Sequence, residues 1–277
     1  MSTQHVYLNG RIVSLADAAI SPLDIGLLRG YAVFDLLRTV GGRPFMLAEH
    51  LLRLHSSAGV LGLAVPVSDE EIAVAIEELL ALNGHEEATV RLVLTGGVSL
   101  DGMAFDPSTP TFLILTHELH ELPAEIYETG SGLRTNRHTR ELPQAKTTNY
   151  LTMLRERNAT SEAGSLDLLY HDDERVFEAA SASVYFVREG RIFAPDAGVL
   201  WGTVGSLVLE LAEPDYQVVR GEITLADALA ADEAFLTSTT RGVVPIVRID
   251  GNAVGEGVVG PVVRDLMTRW KHALERG

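Results

Sequence analysis

Two side chains stand out for the chemistry they can do. Lys146, in the run Ala145-Lys-Thr-Thr-Asn-Tyr150, offers a primary amine that can add to an aldehyde and afterwards carry a proton, provided its surroundings desolvate it. A lone lysine is usually a solvated surface charge, and nothing in the periodicity separates the two readings. Glu178 lies inside the apolar run Val176-Phe-Glu-Ala-Ala180, where an unpaired carboxylate is costly unless it meets a positive partner. The alternative is an edge strand with Glu178 facing water. Together the two suggest amine chemistry on an aldehyde-bearing cofactor whose ring nitrogen must stay protonated.

Elements must position these residues, and the chain is long enough to supply them. At 277 residues with 46% hydrophobic content, two domains fit better than one. Short β-like runs alternate with helical runs and no period repeats, so solenoids and propellers are excluded and the class is mixed α+β or α/β. The first unit, residues 1–116, contains strand-like runs at 7–9, 11–14, 33–40, 89–95 and 111–116, with turns at Asn9-Gly10 and Gly41-Gly42. A helix is expected over 49–63, and Ser68-Asp-Glu-Glu71 is a capping box for a second that stops at Asn83-Gly84. Residues 117–129 turn polar around Pro123 and read as the interdomain linker. The second unit, 130–277, offers helices over 149–162, 203–213 and 260–275. Its strands are expected at 166–170, 176–180 and 184–187, with hairpin turns at His171-Asp-Asp-Glu174 and Arg188-Glu-Gly-Arg191.

Composition excludes several partners. A formal charge of -16 repels nucleic acid and anionic membranes. No apolar stretch reaches the length of a membrane span, and zero cysteines rule out disulfides and thiolate metal sites. The chain start lacks a secretion-signal pattern, so a cytoplasmic protein is expected. His117-Glu-Leu-His120 lacks metal-ligand spacing, and no metal is expected. No Rossmann or Walker glycine motif is present.

The motifs in their order resemble a family. Asn9-Gly-Arg11, Asp24-Ile-Gly-Leu-Leu-Arg-Gly-Tyr-Ala-Val-Phe-Asp35, Glu49-His-Leu-Leu-Arg53, Lys146-Thr-Thr-Asn-Tyr150, Glu178 with Val184-Tyr-Phe186, Leu200-Trp-Gly-Thr-Val204 and Asp232-Glu-Ala-Phe-Leu-Thr-Ser-Thr-Thr240 run nearly end to end. Their spacing is similar to that of the class IV aminotransferases, the fold-type IV enzymes that use pyridoxal phosphate (PLP). The group includes branched-chain and D-amino-acid transaminases and aminodeoxychorismate lyase. The resemblance implies a two-domain fold of that type and PLP as cofactor. It also implies a homodimer or larger assembly, with the pocket between the domains and closed by a loop of the neighbouring subunit.

The same resemblance assigns roles. Lys146 would form the Schiff base, Tyr150 would reach the cofactor phenolate, and Glu178 would pair with the ring nitrogen. Arg53 would hold the phosphate, although Glu49 and Arg53 also have the spacing of an ordinary surface helix pair. Thr203 and Val204 open a helix whose amides can cradle phosphate. The family usually has Thr where this chain has Val204, so that hydroxyl is lost and Thr203 is the remaining one. Ser238 and Thr239 resemble a second phosphate turn, and Thr240 the adjoining substrate turn. Ala179 and Ser183 also depart from the family, which commonly has Gly and Asn there.

Substrate class is read from the carboxylate donors. Asn149 follows the lysine at the third position, as in the D-alanine transaminase and lyase branches, but 96–107 contain no Arg or His to form the familiar carboxylate trap. Arg91 interrupts the apolar strand Thr89–Thr95, and Arg29 precedes a strand carrying Phe34 and Leu36. Arg29, from the partner subunit, and Arg91 are therefore expected to bind the substrate carboxylate, with Phe34 lining the pocket and Arg38 and Arg241 as rival donors. The expected reaction moves an amino group between a D-amino acid, such as D-alanine or D-glutamate, and 2-oxoglutarate or pyruvate. A branched-chain L-transaminase, with an apolar pocket of Phe34, Leu36 and Leu37, an aminodeoxychorismate lyase and a non-catalytic PLP-binding module are the alternatives.

Overall fold

The computed structural model describes residues 4–276, which form two compact units. The first comprises residues up to His120 together with Ala145–Asn149; the second comprises Glu121–Gln144 and Tyr150–Arg276. The lysine segment therefore groups with the first unit although its chain neighbours on both sides belong to the second.

In the first unit, β1 (His5–Leu8), β2 (Arg11–Ser14), β3 (Ala32–Val40), β4 (Arg43–Pro44), β5 (Ala88–Thr95) and β6 (Thr111–Glu118) form one antiparallel sheet in the order β2-β1-β6-β5-β3-β4. Asn9 and Gly10 close the β1–β2 hairpin at φ 47° and 87°, left-handed positions that Asn and Gly tolerate best. Helix α1 (Ile25–Arg29) is capped by Asp24, which accepts from Gly26 N, and it ends at Gly30 with φ 68°. It is too short for periodicity to announce it. Helices α2 (Leu47–Val60) and α3 (Asp69–Asn83) cover the sheet, α3 starting at the capping box on Ser68 and Glu71. Leu51 and Leu54 of α2 and Ile72, Ile76 and Leu79 of α3 are buried, each contributing about 1.5–3 kcal/mol of apolar burial.

The second unit opens with α4 (Ala124–Thr129) and β7 (Ser131–Arg137), followed by α5 (Leu151–Glu162), β8 (Ser165–His171), β9 (Arg175–Ala179), β10 (Ser183–Arg188) and β11 (Arg191–Pro195). Then come α6 (Thr203–Ala212), β12 (Val218–Gly221), β13 (Ile223–Thr224), α7 (Leu225–Leu229), β14 (Glu233–Ser238), β15 (Gly242–Ile249), β16 (Asn252–Ala253) and α8 (Pro261–Arg276). The sheet order is β12-β11-β10-β14-β15-β7-β8-β9-β13, with β16 beside β15. Leu133, Leu169, Phe186, Leu236 and Ile246 share its buried core.

Several details differ from the sequence expectation. Residues 117–129 are not a plain linker, since His117 and Glu118 finish β6, paired to Thr89 and Ala88, and α4 takes up Ala124–Thr129, which leaves only 119–123 outside regular structure. Residues 242–249, unassigned from sequence, form a central strand despite Pro245. Among the described residues no helix is long and apolar enough to cross a membrane.

Candidate active site

The first unit fixes the lysine through its backbone. Thr147 bridges to Val33 in antiparallel sense, Phe34 N donates to Lys146 O at 2.9 Å, and Thr148 N donates to Ala32 O at 3.1 Å. Lys146 N donates to the buried Ser57 Oγ of α2 at 3.0 Å. The lysine thus lies on an extended strap along β3 rather than on a helix. Tyr150 is the N-cap residue of α5, and residues 146–149 before it lie outside any helix, so the helix expected from 149 starts two residues later.

Strand alternation divides β3 into two chemically distinct faces. Phe34, Leu36 and Arg38 point one way, and Asp35, Leu37 and Thr39 the other. On the first face Lys146 Nζ lies 4.7 Å from the Phe34 ring centroid and Arg91 Cζ 5.0 Å from it, an arrangement the quadrupole of the ring favours. Arg91 pairs across the ladder with Leu36. Leu37 is fully buried on the opposite face, so it cannot line a pocket with Phe34 and Leu36. Arg38 is buried, its Nε donating to Thr39 O at 3.2 Å. Arg29 is exposed, with Nε donating to Gly102 O at 3.2 Å.

Arg53 is not part of a surface pair with Glu49. Its guanidinium donates twice to the fully buried Asp35, from Nε to Oδ2 and from Nη2 to Oδ1, both at 2.8 Å, while Glu49 is exposed.

In the second unit Glu178 is 4% exposed on β9, and its positive partner in the protein itself is one the sequence did not reveal. Arg140 Nε donates to Glu178 Oε1 at 2.6 Å, Arg140 Nη2 donates to Ala180 O at 2.7 Å, and Leu200 N reaches Oε2 at 3.4 Å. The guanidinium also lies 5.4 Å from the Tyr150 ring centroid and 5.7 Å from that of Tyr170. Burial works against the charge on Arg140, but Glu178 and the two phenols outweigh it and raise its pKa above the ordinary value. Only the need for a counter-charge at Glu178 was legible, and that need named no residue.

Helix α6 begins at Gly202 with no side-chain cap and no acidic residue in its first turn, leaving amides and a favourable dipole for an anion. A Cβ at Gly202 would stand 2.6 Å from Ser183 Oγ, and one at Gly205 would stand 2.1 Å from the Tyr185 hydroxyl. Glycine at both positions is what lets the helix start approach β10. Thr203 and Val204 are buried. Ser238 ends β14, and Thr239 and Thr240 form the following turn. Ser238 Oγ accepts from Arg241 Nε at 2.9 Å, and Arg241 Nη2 donates to Ser181 Oγ at 2.7 Å and reaches Asp167 Oδ2 at 3.4 Å. Arg241 therefore braces its own turn.

Each unit by itself holds groups that suit a phosphorylated pyridine aldehyde: an amine and a clamped arginine in the first, and in the second a buried carboxylate that suits a ring cation and a helix start without a side-chain cap that suits phosphate. Residues 32–249 match the family described as amino-transferase class IV. The chain belongs to the class IV aminotransferases. It is 32% identical to a putative branched-chain-amino-acid aminotransferase of Methanocaldococcus jannaschii, over 96% of this chain and 95% of that protein. It is 30% identical to a D-alanine aminotransferase of Listeria monocytogenes, over 94% and 93%. The structure of a T.th. branched-chain amino acid aminotransferase with pyridoxamine 5'-phosphate superposes with a TM-score of 0.87 at 27% identity, covering 98% of this chain and 94% of that one. The two-sheet fold is that of class IV aminotransferases, and the cofactor is PLP.

Proposed function

We propose that this PLP-dependent class IV aminotransferase moves amino groups between D-amino acids, such as D-alanine or D-glutamate, and 2-oxo acids. The observation that carries the α-amino-acid chemistry is the pair of cations on Phe34, the Lys146 amine and the Arg91 guanidinium, each within 5.0 Å of one ring centroid. The D-amino-acid preference is supported by Asn149 at the third position after Lys146 and by the 30% identity to the Listeria monocytogenes D-alanine aminotransferase. An amine for proton transfer beside a fork for a carboxylate is what an α-amino acid requires. PLP, when bound, supplies the aldehyde that takes the amino group and a ring that spreads the negative charge left at the α-carbon. Lys146 Nζ would remove the α-proton and return it to the former aldehyde carbon, on the far side of the nitrogen. Glu178 holds the proton on the ring nitrogen and Tyr150 donates to the phenolate oxygen. For the phosphate, the second unit would supply the amides at Thr203 and Val204 with Ser238 and Thr239, and the first unit would supply Arg53. Arg91 orients the substrate carboxylate, with Phe34 as pocket wall and Thr240 as the adjoining substrate contact.

Arg29 belongs to this scheme as a second carboxylate donor supplied by the partner subunit of a homodimer. Supporting it, Arg29 bonds Gly102 within a surface where Leu27, Leu100 and Met103 are 70%, 87% and 71% exposed, the kind of apolar patch that partners cover.

A branched-chain L-transaminase is the second reading, favoured by the 32% identity to the Methanocaldococcus jannaschii protein and by the aliphatic Leu36 beside Phe34. Mixing PLP-loaded protein with D-alanine, D-glutamate, L-leucine or L-glutamate, without acceptor, and following the cofactor spectrum separates the two. Conversion by D-amino acids alone supports the proposal, and conversion by L-leucine moves the assignment to the branched-chain reading. No response overturns transamination in favour of a lyase or a non-catalytic PLP-binding module. Arg91→Ala and Arg29→Ala should raise KM sharply with bound PLP retained, and unchanged kinetics would remove them from the site.

A further inference from the structure

Asp35 is the most deeply buried carboxylate of the first unit and has four donors. Oδ1 accepts from Leu36 N at 2.8 Å, His50 Nδ1 at 2.7 Å and Arg53 Nη2 at 2.8 Å; Oδ2 accepts from Arg53 Nε at 2.8 Å. An ionised carboxylate only accepts, so His50 carries its proton on Nδ1. The 3.4 Å approach of Arg53 Nη2 to that nitrogen is then two donors sharing one acceptor.

A buried ion pair gains little stability over an apolar pair of the same volume, but it fixes direction. Two parallel bonds along the Nε–Nη2 edge immobilise the guanidinium plane. The Nη1 edge has no hydrogen-bond partner among the described residues, and the Arg53 side chain is 12% exposed. His50, Arg53 and Ser57 recur at i, i+3 and i+7 on α2, one helix face, and Ser57 holds the backbone of Lys146. The clamped arginine and the reactive lysine are thus referenced to the same helix.

We infer that Asp35, assisted by His50, is a positioning residue that aims the Nη1 edge of Arg53 at the cofactor phosphate. The inference rests on the reading of Arg53 as a phosphate ligand. Asp35 touches no cofactor atom itself; it acts by removing the rotamer freedom the long side chain would otherwise lose on binding. Its carboxyl is held down to about 2, so the clamp is intact at every pH at which a phosphate monoester is doubly charged.

The test compares apoprotein affinity for PLP with affinity for pyridoxal, which lacks the phosphate, in wild type, Asp35→Asn, His50→Gln, Arg53→Ala and the Asp35→Asn/Arg53→Ala double variant. Asp35→Asn should raise the Kd for PLP about tenfold, the scale of one charged hydrogen bond, and leave pyridoxal binding unchanged. His50→Gln should shift PLP alone by about threefold, and it carries the test if Asp35→Asn does not fold. The double variant should bind PLP no more weakly than Arg53→Ala, since Asp35 acts only through that side chain. Equal loss for both ligands, or additive losses in the double variant, would make Asp35 merely structural and overturn the inference. If Arg53→Ala itself leaves the ratio of PLP to pyridoxal affinity unchanged, the phosphate reading of Arg53 fails, and that outcome is visible independently of Asp35.

Discussion

Replacing Glu178 by Gln separates two jobs that one carboxylate is assigned. In the protein alone the carboxylate neutralises Arg140 at 2.6 Å in a setting 4% exposed; with PLP bound it is proposed to hold the ring nitrogen protonated. Gln keeps the shape and an oxygen for Arg140 Nε but removes the charge. Breaking a buried pair outright costs about 3–5 kcal/mol. The retained amide bond and the Tyr150 and Tyr170 faces, 5.4 and 5.7 Å from Arg140, offset part of that, leaving about 2 kcal/mol. For a chain of this size the melting temperature should fall by about 4–8 °C. The catalytic effect is separate. Losing a charge-assisted hydrogen bond of about 1.5–3 kcal/mol to the ring cation lowers the rate about 10- to 150-fold. Thermal melting of the apoprotein reads the first number, and the single-turnover rate of cofactor conversion under saturating amino acid reads the second. A variant that melts several degrees lower yet converts cofactor at the wild-type rate would refute the ring-nitrogen role and leave Glu178 as the counter-ion of Arg140 alone.

Two further outcomes follow from local chemistry. Burial pushes the Asp35 carboxyl up, but the hydrogen bonds and charges of Arg53 and His50 overcome it and bring it from 3.8 to about 2. A carboxyl depressed on folding contributes stability that is present above its unfolded value and lost as pH falls through the folded one. The stability gap between wild type and Asp35→Asn should therefore shrink by about 2 kcal/mol between pH 6 and pH 2 in urea unfolding, and a constant gap would contradict the ion pair. Gly242→Ala should cost about 3 kcal/mol by thermal melting, because φ is +62° and a Cβ would stand 2.2 Å from Trp270 Nε1; an unchanged melting temperature would show that α8 gives way.

What the sequence made legible follows from where its signals are local. The capping box at Ser68, the Asn9-Gly10 and Glu189-Gly190 turns and the amphipathic run of α3 each need only a few neighbouring residues, and each forms where expected. The polar β7, the five-residue α1 and the proline-bearing β15 carry no such local signal and take their structure from the ladders around them. The candidate site divides the same way. Lys146 and Glu178 could be singled out because a family spacing and an apolar context marked them. Arg140 could not, since Thr139-Arg-Glu141 reads as any polar loop, and its pairing with Glu178 spans 38 positions.

Helix α2 shows most clearly why one-dimensional pattern misleads at this site. Its Glu49 and Arg53 have the spacing of a surface ion pair, yet Arg53 turns to Asp35 at 2.8 Å and leaves Glu49 in solvent. The preference is physical: an exposed pair is worth little, whereas Asp35, committed to the sheet interior by strand alternation, must find donors or remain an uncompensated buried charge. His50 and Arg53 supply them, and Ser57, one turn further, takes the Lys146 amide. A face that looks amphipathic in the ordinary way is therefore a polar seam inside the unit, and its buried carboxylate sets the direction of the arginine beside the lysine strap. Substrate class escapes the sequence for the related reason that it is a matter of direction as well. Transaminases of either hand need the same amine, the same ring counter-charge and a carboxylate donor, and they differ in the side from which the donor addresses the α-carbon. If Arg91 is that donor, as proposed, stereochemistry would follow from which enantiomer presents its α-hydrogen to Lys146 while its carboxylate is on that guanidinium.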